Sequence, residues 1–195
     1  MADVPILILA AGASSRMRGA DKLMEDVDGQ PLLRRQARMA LDVSRDVRVA
    51  LPPAPHPRDT VLWGLPVQII RVPDAAEGMG ASLRTAFAGI TAPRTLLLLA
   101  DLPELEAEDL RSVLAGPDEA PQAVIWRGAT ESGKSGHPML IDRAVYPDFQ
   151  KLTGDDGGRA IVQKHGAHLV PLQGNRARLD LDTPEDWAEW RKGRP

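Results

Sequence analysis

The chain has 195 residues, 43% of them hydrophobic, and contains no cysteine. This length suits one domain with a sizeable core. Without cysteine, disulfides, thiolate metal sites and cysteine nucleophiles are excluded. A formal net charge of −3 gives no support to nucleic acid as a partner. The first apolar run breaks at Gly12 and no other is long enough to cross a bilayer, so we expect a cytoplasmic protein without a membrane partner.

Short, uninterrupted apolar segments alternate with helical patterns along the first part of the chain. Uninterrupted apolarity is what a strand needs when both faces of its sheet are covered. The predicted strands are residues 4–9, 47–51, 67–72, 95–99 and 123–126. The predicted helices, with apolar residues at three- and four-residue spacing, are residues 32–43, 81–90 and 106–114. The alternation predicts an α/β fold with a mostly parallel sheet and helices on both faces.

After about residue 127 the pattern is less regular. We predict strands at residues 138–142 and 168–172, and helices at residues 158–164 and 184–191. The chain has no internal repeat and no linker, so a single domain is expected over residues 1–195. In a parallel sheet of this kind, ligands bind beyond the carboxyl ends of the strands.

The segment after the first predicted strand carries the strongest chemical signal. Its small residues let a ligand approach the backbone closely, and exposed N–H groups in such a loop bind anions. Arg16 can contact two phosphate oxygens and Lys22 a third. A solvated glycine turn is the alternative, but the position at a strand end favours a phosphate site. The candidate nucleotide-binding residues are Ala10, Ala11, Gly12, Ser14, Ser15, Arg16 and Lys22.

Residues 128–135 match the P-loop pattern G-x-x-x-x-G-K-[ST] letter for letter. A true P-loop opens a helix, because the helix N-terminus supplies the N–H groups that hold the phosphates. Here residues 136–138 are Gly-His-Pro, which forbid a regular helix start. We therefore reject an ATPase of this type, although Lys134 could still meet an anionic acceptor from a loop.

Carboxylates stand at two further places that point to a metal. Asp101 follows an apolar strand that Pro103 ends, so it should lie at the carboxyl edge of the sheet. It is too far upstream to cap the helix near residue 106, and magnesium suits oxygen ligands that face phosphates. Asp180 and Asp182 alternate with apolar residues, which predicts one shared strand face and a possible completion of the metal site. By contrast, Thr183, Glu185 and Asp186 are typical of helix capping.

Glycine-rich turns complete the candidate site. The turn before the helix at residue 81 could be a simple cap, or a surface on which a nucleobase lies against bare backbone. Its candidate residues are Glu77, Gly78, Met79 and Ser82. The polar loops at residues 135–138 and 154–159 could form an acceptor pocket, with His137, Asp155 and Arg159 as candidates.

In this order, these segments resemble the MobA-like NTP-transferase family of nucleotidyltransferases. The resemblance covers about residues 4–190, and its segments are residues 9–17 with Lys22, 77–83, 100–103, 136–138, 154–159 and 180–186. It implies a Rossmann-like domain of the nucleotide-diphospho-sugar-transferase type that binds an NTP and Mg²⁺. Residues of about 4–115 would bind the NTP, and about 120–190 the acceptor. Arg16, Lys22 and Asp101 would be the catalytic residues, with Asp101, Asp182 and Asp180 on the metal.

Within the family, Leu-Ala-Ala-Gly at residues 9–12 and Gly-Met-Gly-Ala-Ser-Leu at residues 78–83 look more like molybdenum cofactor cytidylyltransferases than guanylyltransferases. We therefore expect CMP transfer from CTP to molybdopterin, for use by a molybdoenzyme. The alternatives are a GTP-dependent guanylyltransferase, a sugar- or polyol-phosphate nucleotidyltransferase, and, in another class, a cofactor-binding maturation chaperone. Relatives commonly read Arg-Met-Gly, whereas Arg18 intervenes here, so either Arg16 or Arg18 would meet the phosphates.

Overall fold

The computed structural model of the protein describes residues 3–154 and 156–193. Its strands are β1 Ile6–Leu9, β2 Asp26–Val27, β3 Gln30–Pro31, β4 Val47–Leu51, β5 Gln68–Arg71, β6 Arg94–Leu99, β7 Ile125–Ala129, β8 Ser135–Asp142 and β9 His168–Pro171. Its α-helices are α1 Leu32–Leu41, α2 Arg58–Val61, α3 Met79–Phe87, α4 Ala107–Leu114, α5 Gly116–Glu119, α6 Tyr146–Phe149, α7 Arg159–His165 and α8 Pro184–Lys192. Short 3₁₀ helices lie at Ser15–Met17, Lys22–Met24, Ala75–Glu77 and Arg143–Val145.

Seven of these strands form one sheet in the order β5-β4-β1-β6-β8-β7-β9, and β2 and β3 form a separate hairpin. β4 pairs in parallel with β5 and β1, β1 with β6, and β7 with β9. Only β8 runs against its sheet neighbours, β6 and β7. The predicted α/β fold with a mostly parallel sheet in a single domain is confirmed.

Both faces of the sheet are buried, as the apolar strands predict. In β1, Ile6 and Ile8 join one buried cluster, while Leu7 and Leu9 join another on the opposite face. Helices α1, α4 and α8 pack on the first face, and α3, α6 and α7 on the second. Successive strand residues point to opposite faces, so an uninterrupted apolar run satisfies both layers at once.

The topology gathers several loops at one edge of the sheet. The carboxyl ends of β1, β6 and β9 lie there, followed by residues 10–22, 100–103 and 172–182. Because β8 is antiparallel to β6, its first residues, Ser135 to His137, reach the same edge. Segments that are far apart in the sequence therefore meet beyond the strand ends, where such sheets bind ligands.

The predicted strand face for Asp180 and Asp182 is wrong, because residues 179–182 form no strand. The N–H of Leu179 donates to the carbonyl of Asn175 (3.0 Å), and that of Asp182 to Asp186 Oδ2 (3.2 Å). These local bonds take up the donors that a sheet ladder would need.

The strands near residue 127 are also displaced from their predicted positions. β7 covers Ile125–Ala129 rather than residues 123–126, and β8 begins at Ser135 rather than Pro138. Among the described residues, no helix is both long and apolar enough to span a membrane.

Candidate functional site

A cavity of about 500 Å³, here called the first cavity, opens at the edge of the sheet where these loops meet. It brings together most of the predicted nucleotide and metal residues. They are Ala10, Ala11, Gly12, Ser14, Ser15, Arg16, Lys22, Gly78, Met79, Ser82, Asp101, Asp180 and Asp182. Glu77 does not line the cavity; its exposed carboxylate lies 3.4 Å from Arg84 Nη2.

The loop after β1 is held in place by a buried arginine. Arg58 is only 2% exposed and donates two hydrogen bonds to the Asp21 carboxylate, with Nε–Oδ2 and Nη2–Oδ1 distances of 2.7 Å each. It also donates to the Ala10 carbonyl (2.5 Å) and the Ser14 hydroxyl (3.3 Å). Burial by itself would raise the pKa of Asp21, but the Arg58 guanidinium outweighs it and lowers that pKa. Both ends of the loop are thereby tied to α2.

Lys22 joins two of the predicted metal-binding carboxylates. Its Nζ lies 2.6 Å from Asp101 Oδ2 and 2.7 Å from Asp182 Oδ1, and the side chain is 15% exposed. Arg16 Nη1 lies 2.5 Å from the other Asp182 oxygen. Burial alone would lower the pKa of Lys22, but Asp101 and Asp182 raise it, so the ammonium is fully charged at neutral pH.

The carboxylates of Asp101, Asp180 and Asp182 are the candidate ligands of a divalent metal. Asp101 Oδ1 is buried without a hydrogen-bond partner among the described residues. Burial, and then the Asp182 charge, raise the pKa of Asp180. In residues 3–154 and 156–193, no three acidic or histidine side chains stand ready as a metal cage. Magnesium in nucleotide sites commonly uses one or two carboxylates plus phosphate oxygens, so the unpartnered Asp101 oxygen fits that mode.

Arg16 and Arg18 have different surroundings. Arg16 lines the first cavity, whereas Arg18 Nη2 lies 2.8 Å from Glu185 Oε1 and lines neither of the two cavities described here. Of the two arginines, Arg16 is therefore the one placed to meet a ligand in the cavity. The predicted capping role of Thr183 and Asp186 is confirmed, since the two residues form a reciprocal capping box at the start of α8.

The P-loop look-alike is a hairpin turn. Residues 128–135 run from the end of β7 into β8, and the Thr130 N–H donates to the Lys134 carbonyl at 2.9 Å. Gly133 has φ 82°, in the left-handed region that favours glycine. No helix follows, so the rejection of the P-loop is confirmed, and Lys134 is exposed outside both cavities.

A second cavity of about 420 Å³ adjoins the first, and the two share Leu9, Met79 and Leu99. Of the predicted acceptor residues, His137 and Arg159 line it. Asp155 lies outside the described residues. Burial, and then the Arg127 charge, lower the pKa of His137 to about 4, so its imidazole is neutral at pH 7.

Three arginines in or beside the two cavities were not predicted from the sequence: Arg58, Arg127 and Arg178. Arg58 directly follows a proline-rich loop, residues 52–57, whose sequence gives no sign that the next side chain is buried. Arg127 stands in the apolar strand β7, and a cation there could have drawn attention. Arg178 lies in a turn, and no sequence signal distinguishes it from other exposed arginines.

A loop that presents cations and backbone at a strand end, facing carboxylates on neighbouring loops, is an arrangement suited to a nucleoside triphosphate. The sequence pattern of the MobA-like NTP transferase domain matches residues 6–169. The chain belongs to this family. It is accordingly a nucleotidyltransferase, as the sequence predicted.

Individual relatives agree with this membership. A protein of Synechococcus elongatus named "Probable molybdenum cofactor guanylyltransferase" is 37% identical over 191 residues, which cover 93% of this chain and 94% of the relative. A protein of Escherichia coli K12 named "Molybdenum cofactor cytidylyltransferase" is 24% identical over 188 residues, which cover 96% of this chain and 95% of the relative. The crystal structure of Rv0371c from Mycobacterium tuberculosis superposes with a TM-score of 0.83, at 25% identity over 98% of both chains.

Proposed function

We propose that this MobA-like nucleotidyltransferase moves CMP from CTP onto the phosphate of a molybdopterin, with Mg²⁺, and releases pyrophosphate. The observation that carries the proposal is the pair of adjoining cavities. The first holds Lys22 against Asp101 and Asp182, and the second opens from it across Leu9 and Leu99. Two substrates bound side by side would have their reacting groups near this shared wall. The names of the relatives supply the molybdenum cofactor as the acceptor class.

The proposed reaction is a direct displacement. An oxygen of the acceptor phosphate forms a bond to the α-phosphorus of CTP, and the bond between the α-phosphorus and the bridging oxygen to the β-phosphorus breaks. A phosphate monoester is already a nucleophile at neutral pH, so no general base is needed. The protein has to align the two groups and offset their negative charge.

Arg16 and Lys22 are the residues proposed to offset the charge of the leaving pyrophosphate. In the ligand-free chain both are paired with carboxylates, Arg16 with Asp182 and Lys22 with Asp101 and Asp182. Incoming phosphates would replace these carboxylates as partners of the two cations. The exchange keeps both cations paired throughout, which matters most for Lys22, because its side chain is only 15% exposed.

Asp101, with Asp182 and Asp180, is proposed to hold the magnesium ion. When bound, the ion supplies positive charge at the phosphate oxygens. The unpartnered oxygen of Asp101 supports this assignment. Exchange of Lys22 onto the phosphates would release the second Asp101 oxygen and one of Asp182, so metal and nucleotide should bind together.

The choice of CTP rests on the motifs at residues 9–12 and 78–83, both of which contribute backbone to the first cavity. GTP is the rival nucleotide, and a specific observation favours it. A relative named a guanylyltransferase is 37% identical to this chain, whereas one named a cytidylyltransferase is 24% identical. A sugar or polyol phosphate is the rival acceptor. A maturation chaperone that delivers the cofactor to a molybdoenzyme is the rival class, and the paired Lys22 and Asp101 support turnover over it.

One assay separates these candidates. Pyrophosphate release is measured with CTP, GTP, UTP and ATP in turn, with and without purified molybdopterin. The proposal expects release with CTP only when molybdopterin is present. Release with GTP instead selects the guanylyltransferase. Tight cofactor binding without pyrophosphate from any nucleotide selects the chaperone.

A further inference from the structure

The second cavity contains two arginines that the reaction described above does not use. Arg127, on β7, donates from Nε to the Gly136 carbonyl at 2.6 Å. Arg178, in the turn before Asp180, donates from Nη1 to the Ser135 carbonyl at 2.9 Å. Both side chains line the cavity beside His137. These carbonyl bonds fix the two guanidiniums while leaving other N–H donors of each available.

Close backbone packing places the two arginines together. A Cβ added at Gly136 would lie 2.0 Å from the Ala177 carbonyl oxygen, so only glycine permits this approach. The next N–H, that of His137, donates to the same carbonyl at 2.8 Å. A Cβ at Gly128 would likewise lie 2.8 Å from the His137 carbonyl oxygen. The residues before Arg178 are thus held against the start of β8, beside Arg127.

The charge in this cavity is unbalanced. Arg127, Arg159 and Arg178 line it, and within residues 3–154 and 156–193 no carboxylate does. Burial, and then the charge of Arg178, lower the pKa of Arg127, which is the direction that neighbouring cations produce. His137 is neutral, and its Nδ1 is buried without a partner among the described residues. The wall between these groups is apolar, with Leu97, Met139 and Phe149. Such a cavity should favour an anion that carries a flat apolar group.

We propose that Arg127 and Arg178 bind the phosphate of the acceptor, a dianionic phosphate monoester, while the apolar wall contacts its ring system. The inference rests on the proposed function and adds specific residues for acceptor recognition. A single guanidinium satisfies a carboxylate with two parallel hydrogen bonds, whereas two guanidiniums together match the several oxygens of a phosphate. The leaving pyrophosphate has the same chemistry, so the test must separate the two anions.

The probe is phenyl phosphate, a monoester with a flat ring, titrated calorimetrically into the intact protein that has been saturated with pyrophosphate. Pyrophosphate is held at the lowest concentration that saturates its binding to the wild type, and the titration is repeated without it, which shows whether pyrophosphate also occupies the second cavity. Arg127→Met and Arg178→Met should each raise the Kd of phenyl phosphate at least about tenfold, the effect of losing a charged hydrogen bond. Neither should change the Kd of pyrophosphate, measured alone, by more than about twofold.

Two control variants locate the binding. Arg38→Met removes an exposed arginine of α1 outside both cavities and should change neither Kd. Lys22→Ala should raise the Kd of pyrophosphate and leave the Kd of phenyl phosphate unchanged. Arg178 is exposed in a turn, so Arg178→Met decides the test even if Arg127→Met fails to fold.

The proposal is overturned if phenyl phosphate does not bind saturably, or if its affinity follows Lys22 rather than Arg127 and Arg178. Because no nucleotide is turned over, this result is independent of the transfer reaction. If phenyl phosphate does not bind but pyrophosphate is released normally from CTP, the anion-site inference is wrong and the proposed function stands. Intact binding without any release would remove the proposed function and leave the anion site.

Discussion

The Lys22 ammonium lies 2.6 Å from Asp101 Oδ2 and 2.7 Å from Asp182 Oδ1, so one cation holds two carboxylates from distant parts of the chain. A bound metal between these carboxylates would compete directly with Lys22. A bound triphosphate would relieve the competition, because it offers Lys22 another partner. The same contact therefore leads to separate predictions for the lysine and for the aspartate.

Lys22→Ala should weaken CTP binding by about 1–3 kcal/mol, the scale of a hydrogen bond to a charged group. Lys134→Ala should leave it nearly unchanged, because Lys134 is exposed in the β7–β8 turn outside both cavities. Titration calorimetry with both variants measures the two affinities under matched loss of charge. The reverse ranking would restore the P-loop interpretation of residues 128–135.

Asp101→Asn should preserve the fold, since the two side chains have the same shape, but lower turnover by orders of magnitude. The amide supplies one neutral oxygen in place of the buried, unpartnered carboxylate oxygen proposed for the metal. Initial rates are measured as magnesium is varied, with Asp118→Asn, an exposed acid of α5, as the control. Turnover within a few-fold of wild type at limiting magnesium would show that Asp101 is not a metal ligand.

The parallel part of the sheet could be predicted because it is buried on both faces. β4 matches its predicted range, Val47–Leu51, residue for residue, since an uninterrupted apolar run allows little choice of boundary. The loop after β1 and Asp101 could be placed at one edge for the same reason: parallel strands end together. Those residues do line the first cavity.

The second cavity could be predicted only in part. His137 and Arg159 were predicted to line it, but Arg127 and Arg178 were not, because their meeting depends on one antiparallel strand. β8 returns between β6 and β7, and this brings Ser135 and His137 to the edge where Asp101 lies. Nothing in the local sequence states the direction of a strand. The alternating pattern around Asp180 was misleading because side-chain alternation does not reveal whether the backbone N–H groups have a partner strand. Here a turn and a helix cap take them instead.

Arg58→Met should reduce the free energy of unfolding by about 3–5 kcal/mol, since it leaves Asp21 without its bidentate partner. Arg58→Lys should have an intermediate effect, because an ammonium keeps the charge but cannot fork the carboxylate. Urea denaturation at pH 7 measures both, with Arg38→Met expected within about 0.5 kcal/mol of wild type. If Arg58→Met is as stable as Arg38→Met, the buried pair does not hold the loop.

His137 should make stability fall in mildly acidic solution. Its pKa is about 4 in the folded chain, against an ordinary 6.5, so between these values the unfolded chain binds a proton that the folded chain does not. The free energy of unfolding should thus decrease by on the order of 3 kcal/mol as the pH falls from 6.5 to 4. Below pH 4, where both the folded and the unfolded chain bind the proton, His137 should cause no further decrease. His137→Gln should lack this part of the decrease in denaturant titrations across that range. A pH profile parallel to that of wild type would contradict the prediction, as would an imidazole that titrates near 6.5 by NMR.

The choice of base can be tested with the residues that form the first cavity. Ala11 and Ser82 are both buried in its wall, and a Cβ at Gly12 would meet nothing within 4 Å, so backbone is open to the ligand there. Cytosine is small, and one of its edges can be read by a few backbone groups. Guanine presents a different set of donors and acceptors, which would leave buried polar groups unpaired.

CTP should accordingly exceed GTP by at least about tenfold in kcat/KM, or roughly 1.4 kcal/mol. Ala11→Gly and Ser82→Ala should each reduce this preference, because the smaller side chains enlarge the first cavity and loosen its fit to cytosine. Parallel kinetics with both nucleotides and purified molybdopterin measure the ratio for wild type and both variants. Equal use of the two nucleotides, or a preference for GTP, would make the base assignment wrong. It would leave nucleotidyl transfer intact, because the Lys22 and Asp101 contacts that support transfer do not involve the base.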